Sequence, residues 1–552
     1  MSRRTFAASL LALMLAACGR QAPPAPRAAE PAATLLTVAP VEGFANPEPG
    51  VAPQCYTRTD GASNPCWACH TSRNGRNDKG DWALQERYAF SEPALENHWR
   101  GLFTDRRQAI AATTDAEIAA WIAADNYTPL YRAAQATPTA AGYTPDLDYA
   151  QGFDAAGWAR DGSGWRAFRY KPLPGGFWPT NGASDDVLIR LPPAFRRAAD
   201  GRPSQAVYAA NLALVEAALA MPETVSDAAL VRRIEPVSET DAGLDLDRDG
   251  RRARADTVRG LPPHYAGAAR DIPLRRWNYP AGTEFLHSLR YVDPDRPGLL
   301  SPRLKELRYS VKRLDLDDLA LKGAYAEERV EKAAGLVPRF PGNPERGLLN
   351  GQGWLYQGWI EDTGGRLRRQ TLEEHYHCLG CHGGLGITVD SSFALPRKPP
   401  GATGWGWQKL DGLRDVPMAG HRAPEILTWF ARAGGGDAFR SNDEIAARFF
   451  PGGQLDRAAV LRAAPGGDQD LRWLLAPSRE RAMALNKAYR DIVRSQDYVR
   501  GREPFLRPPE NVHRRIANGD TGLRQQERVY SDGRLWLDWD EDSGGRSASP
   551  AQ

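Results

Sequence analysis

The chain has 552 residues, 42% of them hydrophobic and 25% charged, with a formal net charge of +3. That length supports two to four domains, and the composition is that of a folded, water-soluble protein. The near-balanced charge gives no electrostatic footprint for nucleic acid, so nucleic acid is not expected as a partner.

At the N-terminus Arg3 and Arg4 precede the apolar run TFAASLLALMLAAC. The run is too short for a stable membrane-spanning helix and reads as an export signal. Its end, Leu15-Ala16-Ala17-Cys18 followed by Gly19, resembles the lipobox of bacterial lipoproteins. The resemblance implies cleavage before Cys18, acylation of that cysteine and attachment to a membrane. The expected location is periplasmic or cell-envelope, with the outer membrane favoured because no Asp follows Cys18. The alternative is an ordinary cleaved signal with an incidental cysteine. Residues 1–18 are thus the signal, and the Ala/Pro-rich residues 19–50 an extended linker.

Residues 51–150 surround the motif CWACH (66–70) and form a first region. In it the capping box Thr114-x-x-Glu117 opens a helix with Ile118, Trp121 and Ile122 on its apolar face. Residues 151–345 contain no cysteine and read as mixed, with strands at GWRAFRY, DVLIRLP and EFLHSLRYV and one long helix over 204–221. Within them DLDRDGRRARAD (245–256) has the D-x-D-x-D-G pattern of a calcium loop. Asp245, Asp247, Asp249, the Arg251 carbonyl and Asp256 are its candidate ligands. Asp at position twelve and Arg252 at position eight depart from the EF-hand pattern, and the alternative is a solvated Asp/Arg-rich turn. Residues 346–525 form a second region around CLGCH (378–382), entered through a capping box at Thr371 and Glu374. Later helices are expected at NDEIAARFF (capped by Ser441 with Glu444), DRAAVLRAA and SRERAMALNKAYRDIVRS. Residues 526–552 are a polar tail.

Five of the six cysteines lie outside the signal, and four form two Cys-x-x-Cys-His motifs. Cysteines at i and i+3 share one face of a helical turn, so both sulfurs can bond one porphyrin while the next residue, a histidine, reaches its iron. A zinc shell of His377, Cys378, Cys381 and His382 is the rival at the second motif. A redox dithiol is the other, although an oxidising compartment disfavours it. With these motifs the sequence resembles c-type cytochromes, in particular di-haem bacterial lipoproteins. The resemblance covers the motifs and their flanks. It implies two covalent haems c, held by Cys66 and Cys69 and by Cys378 and Cys381, with His70 and His382 as proximal ligands. It also implies electron transfer between redox donor and acceptor proteins. The alternative is a haem enzyme with one open catalytic iron. About 300 residues separate the motifs, which distinguishes the chain from di-haem peroxidases, whose motifs lie much closer together. The expected fold is α+β and multidomain, with two mainly helical, cytochrome c-like regions flanking the mixed middle.

The sixth iron ligand decides between relay and catalysis. His98 is the first candidate in the first region. His377 and His375, just before Cys378, are candidates for a neighbouring haem. Met418 and His421 are equal candidates for the second. Cys55 is left as a free buried thiol or an inter-chain bridge. Motifs of serine hydrolases, zinc proteases and P-loop enzymes are absent, so no catalytic residue is assigned.

Overall fold

The computed structural model describes residues 44–137, 142–220, 223–334, 339–462, 470–524 and 528–539. The export signal, Cys18, the linker as far as residue 43 and most of the tail lie outside them.

The centre of the molecule is an antiparallel sheet built on period-two alternation. Its strands are β1 (Arg166–Phe168), β2 (Ser184–Arg190), β5 (Glu284–Val292), β6 (Leu300–Lys312), β7 (Gly342–Asn343), β8 (Gly347–Leu349), β9 (Trp354–Glu361) and β10 (Leu367–Arg369). They run in the order β1-β2-β5-β6-β9-β8-β7, with β10 also paired to β9. A separate two-stranded ribbon joins β3 (Val231–Ser238) to β4 (Arg254–Arg259). One face of the large sheet turns Leu188, Leu286, Leu307, Tyr309 and Trp359 into a core shared with Tyr127, Tyr143, Leu147 and Trp165. Tyr143 and Tyr309 stack there at 3.9 Å between centroids. On the opposite face, Val187 pairs with His287 and His287 with Arg308, so these side chains stand in one row.

Several helices have the starts that the sequence indicates. The helix α1 (Asp115–Ala123) opens on the Thr114–Glu117 box, and α2 (Tyr127–Ala136) follows it. The long helix α3 (Gln205–Leu219) starts at Ser204, whose side chain accepts from Val207 N, and is buried nearly all round. After α4 (Asp318–Ala333) comes α5 (Leu372–Cys381), capped reciprocally by Thr371 and Glu374. Then come α6 (Glu425–Ala433) and α7 (Arg479–Ser495). The helix over Asp443–Phe449 is capped by Asn442, not Ser441.

The expectation of two helical, cytochrome c-like regions flanking a separate middle is overturned. Strands β8, β9 and β10 arise from the segment just before CLGCH and pair into the central sheet. The physical signal is the stretch WLYQGWIEDTGGRLRRQ, a hairpin whose turn is closed by Asp362 N to Arg366 O at 2.7 Å and Gly365 N to Asp362 O at 2.8 Å. The N-terminal region likewise has no bundle of its own. It is tied to the C-terminal segment by bridges Thr57–Val512, Arg87–Asp520 and Glu96–Arg515. The fold is mixed α and β around one large antiparallel sheet.

Candidate functional site

Both Cys-x-x-Cys-His motifs are single turns of helix. Residues Pro65–Ala68 form a 3₁₀ turn that Asn64 caps, its side chain accepting from Trp67 N. CLGCH is the last turn of α5. The same backbone bond closes each motif: His70 N donates to Cys66 O at 2.9 Å, and His382 N to Cys378 O at 3.0 Å.

The segments flanking the two turns meet although they are far apart in sequence. A Cβ on Gly380 would lie 1.9 Å from Gly50 O, and one on Gly386 would lie 2.5 Å from Asp81 Oδ1 and 2.6 Å from Thr71 O. Asn74 Nδ2 donates to Gly386 O at 2.7 Å, and Asn77 donates to Leu385 O. The loop after the first motif is thereby stitched to the loop after the second.

Between them lies a cavity of about 510 Å³, lined by all four motif cysteines and by His70, His382, His375 and His377. One wall is the sheet face described above, with Asp185, His287, Glu306, Arg308 and Tyr356. A volume of this order is in the range of small-molecule and cofactor sites.

Each proximal-type histidine is fixed through Nδ1. His70 Nδ1 donates to Asp81 Oδ2 at 3.1 Å, and His382 Nδ1 donates to Ser391 O at 2.9 Å. Metal-binding histidines are commonly held through one ring nitrogen in this way, and the His70 ring also has a side-chain hydrogen bond with Cys55. Burial by itself would depress the His70 imidazolium, but the bond to Asp81 and the neighbouring Cys55 lift it to about 9. Burial lowers His382 to about 4.

His375 is 1% exposed, and neither of its ring nitrogens has a hydrogen-bond partner. Nδ1 of His377 is also buried without one, and its ring meets Trp99 edge-on at 5.2 Å. Burial and Arg502 lower His375 to about 4. Burial, Arg502 and Arg308 lower His377 to about 3, so both imidazoles are neutral. Orphaned buried polar atoms are uncommon in folded proteins, and a neutral imidazole has a free nitrogen lone pair to offer a ligand.

The other expected ligands stand elsewhere. His98 bonds Pro93 O at 3.0 Å, Met418 packs in a separate apolar cluster with Leu413 and Leu427, and His421 bonds Asp532 O at 3.0 Å. None of the three lines the cavity. Cys55 does line it, beside His70. Sequence patterns carried no signal for Asp81, Arg308 or Arg502, which sit in loops or strands without a motif.

The motif residues do not form a closed shell for the rival zinc. Among the described residues no three ligand atoms of the motifs converge within 4.8 Å, so a closed zinc shell of His377, Cys378, Cys381 and His382 is not assembled. All four motif cysteines are free thiols, and burial pushes Cys66 and Cys381 up to about 12. The acidic group that does converge is Glu239, Asp245 and Asp247. Glu239 already accepts from Leu246 N and Ala253 N. Asp249 Oδ1 accepts from Arg251 N, and Asp256 is exposed on β4, bonded to Thr257. The structure therefore gathers Asp245 and Asp247 with an unforeseen Glu239, and not the five-ligand loop expected over 245–256.

The sheet-walled cavity brings two Cys-x-x-Cys-His motifs from distant segments of one chain onto a shared lining. Residues 38–416 match the model of a lipoprotein family. A relative described as an uncharacterized lipoprotein from Aquifex aeolicus (strain VF5) is 30% identical over 548 residues, covering 88% of this chain and 90% of the relative. The chain belongs to this lipoprotein family, which puts it in the cell envelope. No solved structure matches it. Among the described residues no helix is long and apolar enough to cross a membrane.

Proposed function

We propose that the protein is a di-haem c-type cytochrome, tethered by an acyl group on Cys18, that passes electrons between redox partner proteins. The observation that carries this reading is the meeting of two Cys-x-x-Cys-His motifs on one cavity, each with its histidine held through Nδ1. When bound, haem supplies a one-electron iron centre at each motif. Cys66 and Cys69 anchor the first and Cys378 and Cys381 the second. His70 and His382 present Nε2 to the two irons. His375 and His377 offer the remaining imidazoles. The missing Asp after Cys18 supports anchoring at the outer membrane.

Denatured, washed protein should retain two haems per chain by alkaline pyridine spectroscopy. The double variants Cys66→Ser/Cys69→Ser and Cys378→Ser/Cys381→Ser should each retain one. Loss of all haem on denaturation sinks the proposal.

A second reading, a haem enzyme with one open iron, is favoured by one observation: Met418 and His421, the candidate partners for His382, stand away from the cavity. Two low-spin ferric signals unchanged by cyanide or carbon monoxide would exclude it.

A further inference from the structure

The two histidines that would carry the irons are held by chemically different partners. His70 donates its Nδ1 proton to a carboxylate, Asp81, whose side chain is 13% exposed. His382 donates to a neutral backbone carbonyl, that of Ser391. A carboxylate acceptor draws the proton away from the ring and makes the imidazole a stronger electron donor; a carbonyl does so less. Stronger donation favours the ferric state and lowers the reduction potential.

The charges around the two motifs push in the same direction. Asp81 Oδ1 has no hydrogen-bond partner and packs against Gly386, so its negative charge stays close to both loops and nearest to His70. Beside the second motif stand two cations, one buried and one part-buried. Arg502 is 7% exposed and donates Nη2 to Glu374 O at 2.6 Å, one turn before Cys378. Arg308 lines the cavity from β6. Glu306 bridges them, at 2.9 Å from Arg308 Nε and 3.1 Å from Arg502 Nη1, leaving the trio with one net positive charge. Two further carboxylates line the cavity: Glu503, next to Arg502 and pushed by burial toward its neutral form, and Asp185, whose charge is shared with His287 at 2.9 Å and with Tyr170. Buried cations favour the reduced iron, and the low dielectric of the interior strengthens the effect.

From this asymmetry we infer that Asp81 is a positioning residue that sets a potential gradient, making the His70 centre the lower-potential site and the His382 centre the higher. The inference rests on the di-haem reading. A reduced one-electron donor protein gives its electron to the His70 centre. That centre is then oxidised as the His382 centre is reduced, and an oxidised one-electron acceptor protein takes the electron onward.

Potentiometric titration of the full-length holoprotein, followed in the visible spectrum, tests it. Covalent haem is counted first in the same samples, so a failure of the di-haem reading is recognised separately. Two one-electron components are expected, and the variant lacking Cys66 and Cys69 should lose the lower one. Asp81→Asn should raise the lower component alone, and Asp81→Glu should restore it. Arg502→Gln should lower the upper component alone, which keeps the test open if Asp81→Asn does not accumulate. A lower component that persists without Cys66 and Cys69, or that stays in place in Asp81→Asn with its haem intact, overturns the inference. So does an upper component unmoved by Arg502→Gln.

Discussion

Gly380, the residue before Cys381, provides the most direct test of how the segment at Gly50 docks on α5. The Cβ of Gly380→Ala would lie 1.9 Å from Gly50 O, 2.6 Å from Gly50 C and 2.8 Å from Gly50 Cα. All three are backbone atoms, so no side chain can rotate away. Two responses are open. The segment at Gly50 can shift by more than 1 Å, an overpacking strain of about 3 kcal/mol at the upper end of the usual range. Or the segment can detach from α5. Detachment breaks the bonds from Ala45 N and Asn46 N to Glu373 at 3.2 and 2.7 Å and the bond from Trp99 Nε1 to Val51 O at 2.7 Å. It also loses the Phe44–Tyr376 edge contact. Two hydrogen bonds to a charged group, one neutral bond and one ring contact come to roughly 5 kcal/mol. The shift is the cheaper response, so the expected loss is about 3 kcal/mol. Gly323→Ala is the matched control. It lies exposed within α4, and nothing stands within 4 Å of its added Cβ. There alanine should stabilise by about 1 kcal/mol through helix propensity. Urea unfolding followed by tryptophan fluorescence reads both variants. If Gly380→Ala is as stable as the parent while Gly323→Ala behaves as stated, the close docking of Gly380 on Gly50 is wrong.

Three further outcomes follow from buried charges and one structured turn. Glu425 accepts from Arg397 at 2.9 and 2.5 Å and pairs with Lys171, which also reaches Asp415 at 3.0 Å; all four side chains are buried. Glu425→Leu strands two cations beside one anion and should cost about 3–5 kcal/mol in urea unfolding; a loss under 1 kcal/mol would contradict the buried network. Lys305 is buried against Tyr489 and donates to Gly182 O, and burial lowers it to about 7. Unfolded lysine holds its proton to about pH 10.4, so between pH 7 and 10 the unfolded chain binds more protons and stability from this group rises with pH. Lys305→Met should stabilise by about 2–4 kcal/mol at pH 7, after allowing for the lost bond, and should flatten that rise. A variant with the parent's pH slope would contradict the assignment. Glu239→Ala removes the acceptor of Leu246 N and Ala253 N, so both amides should exchange with solvent at least tenfold faster, for a local loss of about 2 kcal/mol. Unchanged exchange would show that the turn does not depend on this carboxylate.

What the sequence conveys about this molecule depends on the range over which each signal acts. The capping boxes at Thr114 and Thr371 are satisfied within four residues, and both appear where the pattern puts them. The strands at 166–168, 184–190 and 284–292 were likewise readable from alternation. The attachment motifs are local because their spacing follows from one helical turn. The partners of β6 and β9 are not local, since pairing register depends on which sheet face finds cover. Reading 346–525 as helical missed the WLYQGWIE alternation, which was present but was outweighed by the motif beside it. The sixth-ligand candidates show the same limit. His98, Met418 and His421 are near a motif in sequence yet stand away from the cavity, whereas His375 and His377, next to Cys378, reach it.

His375 links these two scales. Its position three residues before Cys378 is a local fact, and on a helix it puts both side chains on one face. Its two unpartnered nitrogens are a tertiary fact, since they result from the sheet wall and the loop at Gly50 closing around α5. A buried imidazole with no partner costs the fold roughly 1–3 kcal/mol, and a protein that needed only packing there would gain by replacing it with leucine. His375→Leu separates the two roles. As an iron ligand, its loss should convert one ferric low-spin signal to high spin or shift it, while the covalent haem count stays at two. As mere packing, it should leave both signals unchanged and raise stability. The second outcome would remove His375 from the proposed iron ligands and leave His377 as the remaining candidate.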